Sequence, residues 1–348
     1  MSHRITVQPA GRQFFAAPGQ TLLDAALAAG VMLPYSCKSG ACSSCKGRVV
    51  SGDIHQGPHQ PGTLTADEAR AGYALFCCAT PLSDVTLEAR VVQGIDGIEV
   101  RKIPVRVQAI TRLAADVIGL TLQLPANQSI RFHAGQYLEF VMRNGLRRSY
   151  SMATAPHQTG SVELHIRHMP GGAFTDALFG VTQPAIQVRD ILRCEMPLGS
   201  FFLREDSDKP IVLLASGTGF APVKAMVEHM QHAGIRRPVR LYWGGRRPAD
   251  LYLATLAEQW ARTLPDFVYV PVVSDALPED AWPGRTGWVH QAVMADLPDL
   301  SAHQVYACGA PAMVAAARYD FTTRCQLPPD EFYADAFTSA ADLATAIE

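Results

Sequence analysis

The chain has 348 residues, which at roughly 150 residues per domain predicts two or three domains. Hydrophobic residues make up 48% and charged residues 18%, a balance that excludes global disorder. Lys and Arg number 30 against 32 Asp and Glu, so the chain lacks the strongly basic balance of a nucleic-acid-binding protein. No apolar run reaches the roughly 18–20 residues that span a bilayer, and the first residues have no hydrophobic signal core. We therefore expect a cytoplasmic protein.

The first 95 residues predict a small α+β unit. Ile5 and Val7 alternate with polar residues, as in a half-buried strand. Thr21 is suited to cap a short helix, with Asp24 three residues later and Gly30 as its end.

Two changes of pattern predict further domains. From Ile103 onward, apolar residues recur with a period of two between glycines and prolines, which favours an antiparallel β-barrel. After Pro210, short apolar runs alternate with helical stretches, as in an α/β domain with a parallel sheet. A polar stretch around Gly94 and Gly97 predicts a linker. The expected domains are residues 1–95, 101–206 and 207–348.

Five of the eight cysteines lie close together, which in a cytoplasmic chain indicates metal or redox chemistry. Cys37, Cys42 and Cys45 form C-x4-C-x2-C, the plant-type [2Fe–2S] spacing when a distant fourth cysteine is added. Gly40 permits an unusual backbone angle, and small neighbouring residues let N–H groups approach the sulfurs. The alternative, a zinc site, more often shows two C-x2-C hairpins.

The fourth ligand is Cys77 or Cys78. Strand alternation puts the two side chains on opposite faces, so one thiol faces the cluster and the other does not. Periodicity leaves open which of the two it is.

Residues 33–45 begin with L-P-Y-S-C and continue through the C-x4-C-x2-C motif. They resemble the N-terminal ferredoxin domain of flavin-dependent NAD(P)H reductases that supply electrons to oxygenases. They equally resemble the CDP-6-deoxy-Δ3,4-glucoseen reductases. In both families the last ligand lies in L-x-C-x-x-x-P-x-S-D, and residues 75–84 match that pattern with Cys77 in the ligand position. The resemblance implies a β-grasp fold and leaves Cys78 as a small packing residue. It implies four cluster ligands: Cys37, Cys42, Cys45 and Cys77.

Residues 148–151 read R-S-Y-S and resemble the R-x-Y-S motif of the ferredoxin–NADP reductase superfamily. The resemblance implies that Arg148 pairs with the flavin pyrophosphate, for which a guanidinium fork is suited. It places Tyr150 on the isoalloxazine ring and Ser151 near flavin N5. By analogy with members that carry an N-terminal ferredoxin, the flavin is FAD rather than FMN.

Residues 169–175 read M-P-G-G-A-F-T and predict a glycine turn that opens a helix, an arrangement that binds anions. In the family the matching G-G-x-x-[ST] binds the flavin pyrophosphate, and the preceding strand borders the ribityl chain and adenosine. The residues implied in these two roles are Gly171, Gly172, Ala173 and Thr175, and Ile166 and Arg167.

Two motifs in the last domain point to a nicotinamide dinucleotide. Residues 216–222 follow an apolar strand, where Gly217 and Gly219 permit a tight turn and Pro222 starts a helix. G-T-G-x-A-P, which includes Thr218, is the pattern of this reductase family. Residues 308–313 resemble its C-G-x-P-x-M motif. The resemblance places Cys308 beside the nicotinamide C4, in a site with Gly309 and Pro311.

Two further assignments concern the donor. The resemblance implies that Phe337 covers the flavin face until the nicotinamide displaces it, with a core aromatic as the alternative. Arg246 is suited to a 2′-phosphate, whereas Asp250 resembles the acidic residue that favours NADH in related reductases. We expect NADH, with NADPH as the alternative.

The resemblance covers the whole chain and implies an enzyme that carries one [2Fe–2S] cluster and one FAD. Hydride passes from NAD(P)H to the flavin, and single electrons then pass through the cluster to a partner protein. The expected partner is an oxygenase or hydroxylase component. The alternative is a PMP-dependent sugar dehydratase served by a CDP-6-deoxy-Δ3,4-glucoseen reductase.

Overall fold

The computed structural model describes residues 2–92, 98–126, 128 and 130–338. The chain divides into two compact units, the first made of Met1–Gly97, Gly199–Phe201 and Ala334–Glu348, and the second of Ile98–Leu198 and Phe202–Tyr333. The three domain boundaries expected from the sequence stay predictions, and the linker expected around Gly94 and Gly97 lies outside the described residues. Among the described helices, none combines the length and apolar character needed to cross a bilayer.

The first unit is built on a five-stranded mixed sheet. Its elements are β1 (His3–Gln8), β2 (Arg12–Ala16), α1 (Leu22–Ala28), β3 (Lys46–Ser51), β4 (Ile54–Gln56), α2 (Ala66–Arg70), β5 (Tyr73–Leu75), β6 (Ala79–Pro81) and β7 (Val85–Glu88). The sheet order is β2-β1-β7-β3-β5, with β1 and β7 parallel, while β4 and β6 form a separate pair. The predicted strand and helix are confirmed: Ile5 and Val7 are buried, and the Thr21 hydroxyl accepts the Asp24 N–H at 3.1 Å.

The second unit begins with a six-stranded antiparallel sheet. Its elements are β8 (Arg101–Ala114), β9 (Val117–Gln123), β10 (Tyr137–Val141), β11 (Arg147–Ser151), β12 (Ser161–Arg167), α3 (Ala173–Leu178) and β13 (Ile191–Leu198). The order is β11-β10-β13-β8-β9-β12. The apolar residues that recur with a period of two from Ile103 onward supply most of the core of this sheet. A single antiparallel bridge between Met152 and Leu164 joins the two edges. A continuous hydrogen-bonded ladder that would close the predicted barrel is not found among the described residues.

The second unit continues with a parallel sheet and its helices. The elements are β14 (Ile211–Ser216), α4 (Phe220–Ala233), β15 (Val239–Gly245), α5 (Ala254–Thr263), β16 (Phe267–Val273), β17 (Arg285–Thr286), α6 (Val289–Asp296), β18 (Gln304–Gly309), α7 (Pro311–Arg324) and β19 (Phe332–Ala336), of which only the first two residues of β19 belong to this unit. The order is β17-β16-β15-β14-β18-β19, and the predicted α/β alternation is confirmed. The apolar run 211–215 is buried, as expected of a central parallel strand.

Candidate functional site

The cysteine loop of the first unit presents sulfur atoms to backbone N–H groups. The N–H groups of Ser39 and Ala41 both donate to Cys37 Sγ at 3.4 Å, and that of Ser44 donates to Cys42 Sγ at 3.5 Å. Cys42 is buried, whereas Cys37 is half-buried. The close approach expected from the small residues is therefore present, and such bonds stabilise thiolates and help set a cluster's potential.

Neighbouring groups shift the pKa values of three of the four predicted ligand thiols. A hydrogen bond with Cys42 lowers the pKa of Cys37 to about 7 and raises the pKa of Cys42. A hydrogen bond with Cys45 likewise raises the pKa of Cys77. A diiron cluster of the plant type takes four protein thiolates, two on each iron. Among the described residues, no group of three or more His, Cys, Asp or Glu side chains is arranged to hold a single metal ion.

In this loop the backbone of Gly40 packs closely against the Cys78 side chain. Gly40 has a φ of +71°, and a Cβ there would lie 2.8 Å from both Cys78 Sγ and His59 Cβ. Any larger residue would be strained and would clash. Cys77 and Cys78 lie in the turn between β5 and β6, so the predicted placement of their side chains on opposite faces of a strand is wrong, and the two Sγ atoms are 3.5 Å apart. Cys78 is half-buried, whereas Cys77 is buried next to Cys45. The arrangement supports Cys77 as the fourth ligand.

Residues far along the chain hold the start of the cysteine loop. The Tyr35 N–H donates to Ser200 Oγ at 2.8 Å, and the Gly199 N–H donates to the Tyr35 hydroxyl at 2.9 Å. The Ser36 hydroxyl donates to the buried carboxylate of Asp335. Sequence reasoning missed Ser200 and Asp335, since they are separated from their partners by 165 and 299 residues and carry no local signal.

The two arginines of β11 differ in their partners. Arg147 forms ion pairs with Glu139 and Glu195. Arg148 donates to the Arg147 carbonyl at 2.8 Å, and none of the described carboxylates pairs with it. The Arg148 guanidinium therefore keeps donors for an anion, as the R-x-Y-S motif predicts.

Tyr150 and Ser151 end the same strand. The Tyr150 ring packs at 5.4 Å from Phe174 and 5.9 Å from Phe140, and burial raises the pKa of its hydroxyl. Ser151 is buried at the end of the strand. Ile166 on β12 is fully buried in the sheet's core, so its side chain faces away from any ligand that lines the strand.

The turn before α3 is tied by its own side chains. Gly171 has a φ of +81°, and a Cβ on Gly172 would lie 2.5 Å from Thr175 Oγ1. Thr175 Oγ1 donates to the Met169 carbonyl at 2.8 Å, and the Asp176 carboxylate accepts the Gly171 N–H at 3.1 Å. Ala173 opens the helix, as predicted. Sequence reasoning missed Asp176, although an acidic residue in the first helical turn was a visible capping signal.

The two glycine motifs of the parallel sheet meet at the ends of β14 and β18. A Cβ on Gly219 would lie 2.1 Å from the Cys308 carbonyl oxygen, and one on Gly309 would lie 2.2 Å from Ser216 Oγ. Ser216 Oγ also accepts the Ala310 N–H at 2.9 Å. Cys308 is buried, and adjacent parallel strands place it beside β14. The motifs therefore form one surface where dinucleotides bind in such sheets.

Other nicotinamide-motif residues have defined places. The Gly217 carbonyl accepts from Trp243 Nε1 at 3.0 Å, and Thr218 lies between the two glycines in a 3-10 turn. Pro222 is in the first turn of α4, where its missing N–H costs no bond, and Pro311 begins α7.

Asp250 is bound inside its loop. Its carboxylate accepts the N–H groups of Arg246 and Arg247 at 2.8 and 3.1 Å, and Arg167 pairs with it at 3.1 Å. Arg247 pairs with Asp280, whereas the exposed Arg246 guanidinium has no carboxylate partner in the described part of the chain. Phe337 directly follows β19 and is half-buried in the first unit.

Three family models match the chain in order. They are the 2Fe-2S iron-sulfur cluster binding domain over residues 5–82, the oxidoreductase FAD-binding domain over 104–203 and the oxidoreductase NAD-binding domain over 213–319. Together they cover most of the sequence.

Whole-chain relatives agree with these models. The chain is 40% identical to the CDP-6-deoxy-L-threo-D-glycero-4-hexulose-3-dehydrase reductase of Yersinia pestis, over 97% of this chain and 99% of that one. It is 34% identical to terephthalate 1,2-dioxygenase reductase component 1 of Comamonas sp., over 98% of both chains. The crystal structure of the Amycolatopsis cytochrome P450 reductase GcoB matches with a TM-score of 0.76 at 35% identity, over 97% of this chain and 99% of that one. This chain therefore belongs to the iron–sulfur flavoprotein reductases of the ferredoxin–NADP reductase superfamily, enzymes that carry electrons from NAD(P)H through FAD and a [2Fe–2S] cluster.

Proposed function

We propose that Cys37, Cys42, Cys45 and Cys77 hold the [2Fe–2S] cluster, one iron on the first pair and one on the second. The observation that carries this proposal is the C-x4-C-x2-C loop itself, in which the N–H groups of Ser39, Ala41 and Ser44 donate to the Cys37 and Cys42 sulfurs. N–H groups that point at Cys37 and Cys42 stabilise negative charge on the sulfurs. When bound, the cofactors of this family convert the two-electron hydride of NAD(P)H into single electrons.

For FAD, we propose that Arg148 pairs with the pyrophosphate and that Tyr150 and Ser151 border the isoalloxazine ring. The free donors of Arg148 and the exposed end of its strand support this role. The turn at Gly171, Gly172, Ala173 and Thr175 adds backbone N–H groups. Arg167 borders the ribityl chain and adenosine, and Ile166 contributes through its backbone.

For the nicotinamide dinucleotide, we propose that the turn Gly217–Gly219, with Pro222 behind it, takes the pyrophosphate. Cys308, with Gly309 and Pro311, borders the nicotinamide, since the two motifs share one surface. The role of Phe337 as a cover of the flavin face stays a prediction from the family resemblance. NADH is the expected donor, and Arg246 is the residue that would accept a 2′-phosphate.

The electron acceptor is a protein of one of two classes. The higher identity to the hexulose-dehydrase reductase, 40% against 34% for the dioxygenase reductase, favours a PMP-dependent sugar dehydratase. An oxygenase component, which the sequence placed first, is the second candidate, supported by the dioxygenase and P450 reductases among the relatives. A cytoplasmic location, where thiols stay reduced, is part of this proposal and is supported by the clustering of the cysteines.

The acceptor is tested with the purified holoprotein and NADH under anaerobic conditions. One arm contains a PMP-loaded CDP-hexulose dehydrase with its sugar nucleotide, and the other contains an oxygenase component. We expect the dehydrase and its sugar together to accelerate NADH oxidation. If only the oxygenase component accelerated NADH oxidation, the oxygenase component would become the first candidate for the acceptor. Acceleration by neither, with ferricyanide still reduced, would overturn both.

A further inference from the structure

One face of β12 carries a row of polar side chains. In a strand, alternate residues share a face, so Val162, Leu164 and Ile166 enter the core of the antiparallel sheet. The other face pairs with residues of the parallel-sheet half of the same compact unit. We call this row the polar seam: Glu163, His165 and Arg167 on β12, with Lys224, Tyr252 and Asp250 as their respective partners.

His165 is the centre of the polar seam. Its side chain is fully buried, and both ring nitrogens have partners: Nδ1 lies 2.9 Å from the Tyr252 hydroxyl and Nε2 lies 3.2 Å from Glu163 Oε1. A carboxylate only accepts, so Nε2–H donates to Glu163 and Nδ1 accepts from Tyr252. Burial lowers the pKa of His165, which favours this neutral tautomer. In this tautomer both ring nitrogens of His165 are satisfied.

Ion pairs flank His165 on both sides. Lys224 Nζ on α4 lies 3.6 Å from Glu163 Oε2 and 3.0 Å from Glu228 Oε1. Arg167 is 3.1 Å from Asp250, and its guanidinium lies directly over the Gly217 turn, 3.3 Å from where a Cβ on Gly217 would stand. The polar seam therefore ends at the nicotinamide motif.

The choice of polar residues here has a physical consequence. A buried polar network gives little stability compared with apolar packing, but leaving one member unpaired is costly. An apolar contact tolerates sliding, whereas directional hydrogen bonds accept one register. The seam thus fixes how the parallel-sheet half is placed on β12, the strand that leads into the flavin-motif turn.

We propose that the polar seam, through the Tyr252–His165 hydrogen bond, is a positioning device that sets the nicotinamide site against the flavin site for hydride transfer. This inference rests on the proposed function and adds residues to it. Transfer between two bound groups depends steeply on their separation, since a displacement of about 1 Å can cost roughly 100-fold in rate. Neither Tyr252 nor His165 belongs to a cofactor motif, so they act through placement.

The test compares Tyr252→Phe with Tyr269→Phe in the holoprotein. Both variants remove one hydroxyl from a half-buried tyrosine, but the Tyr269 hydroxyl has no hydrogen-bond partner among the residues that the structure describes. We expect Tyr252→Phe to slow flavin reduction at saturating NADH about ten-fold, with the dissociation constant for NADH nearly unchanged. It also weakens the long-wavelength charge-transfer absorbance between nicotinamide and flavin. Tyr269→Phe keeps both properties.

A readout independent of turnover is amide hydrogen exchange of the holoprotein. We expect faster exchange in β12 and α4 for Tyr252→Phe and unchanged exchange for Tyr269→Phe. His165→Gln retains one hydrogen-bonding amide and recovers part of the rate, whereas His165→Leu does not. Should Tyr252→Phe fail to fold, the His165 pair decides the question.

The outcomes separate two failures. Wild-type reduction rates, absorbance and exchange in Tyr252→Phe, or equal loss in the glutamine and leucine variants of His165, would overturn the positioning role. Absence of any NADH-driven flavin reduction in the unmodified protein would instead overturn the proposed function.

Discussion

Gly219 and Cys308, 89 positions apart in the numbering, are in direct backbone contact: a Cβ on Gly219 would lie 2.1 Å from the Cys308 carbonyl oxygen. The contact is between backbones at the ends of β14 and β18, so no rotamer change can relieve it. The two nicotinamide motifs are therefore one structural element, and disturbing either should disturb both.

Gly219→Ala should weaken NADH binding and lower the free energy of unfolding by about 1–3 kcal/mol, because one of the two turns must move. FAD retention should stay normal. The matched control is Gly234→Ala at the end of α4, where a Cβ meets open space and only the left-handed φ of +69° is strained. Calorimetric titration with NADH and thermal melts measure both quantities. Equal NADH affinity in the two variants would contradict the shared element.

Cys77→Ser should abolish the [2Fe–2S] absorbance and EPR signal, whereas Cys78→Ser should retain both. The reason is that Cys77 is buried beside Cys45, while Cys78 packs against Gly40. NADH-to-ferricyanide activity should survive in both variants, since that electron path needs only the flavin. If the Cys78 variant lost the cluster and the Cys77 variant kept it, Cys78 and not Cys77 would be the fourth ligand.

Local signals predicted local structure well. The Thr21 cap and the buried strand 211–215 depend on neighbours within a few residues, so their sequence patterns were sufficient. The hydrogen bond between Tyr35 and Ser200 joins residues 165 positions apart, and the sequence around a single serine does not indicate such a distant partner. The polar seam could not be predicted for the same reason. From the sequence alone His165 resembles an ordinary core histidine, and only the fold places the Tyr252 hydroxyl beside it.

Asp250 shows how a residue singled out for one role can have another. The sequence assigned it to cofactor preference, yet its carboxylate accepts two backbone N–H groups and pairs with Arg167. Its replacement would therefore loosen the loop as well as change any contact with a ribose. Arg246 is the cleaner position at which to test donor choice, since its guanidinium is exposed.

Arg246→Ala should lower kcat/KM for NADPH more than for NADH, because an arginine contributes mainly to binding a 2′-phosphate. Arg262→Ala is the control: it removes an equal charge from the exposed surface of α5. Steady-state kinetics with ferricyanide as acceptor measure the ratio. A ratio unchanged from the parent protein would remove Arg246 from the nucleotide site.

Arg148→Ala should weaken FAD retention, with a dissociation constant raised about ten-fold or more, the value of a charge-assisted hydrogen bond. Arg147→Ala removes a neighbouring guanidinium that is paired with Glu139 and Glu195, so it should cost stability and keep the flavin. The flavin-to-protein absorbance ratio after gel filtration distinguishes them. Full flavination of the Arg148 variant would argue against its pyrophosphate role.

His165→Gln should make the free energy of unfolding depend less on pH in the acidic range. Burial lowers the pKa of His165 below its ordinary value of about 6.5, so the unfolded chain binds a proton there more readily than the folded one. Stability from this group is complete above about pH 6.5 and is lost as the pH falls through the folded-state pKa. Of the charged groups that face the ring, Glu163 and Glu228 oppose this lowering of the pKa and Lys224 adds to it, while the Tyr252 hydroxyl is a neutral hydrogen-bond partner.

The unfolding free energy of the holoprotein, measured by denaturant titration from about pH 5 to about pH 7.5, tests this sign. The variant should be less stable than the parent near neutral pH, and the difference should shrink toward acid. Burial also lowers the pKa of His290 and His303, so part of the slope persists in the variant. Parallel curves for the variant and the parent would contradict a lowered pKa of His165 in the folded protein.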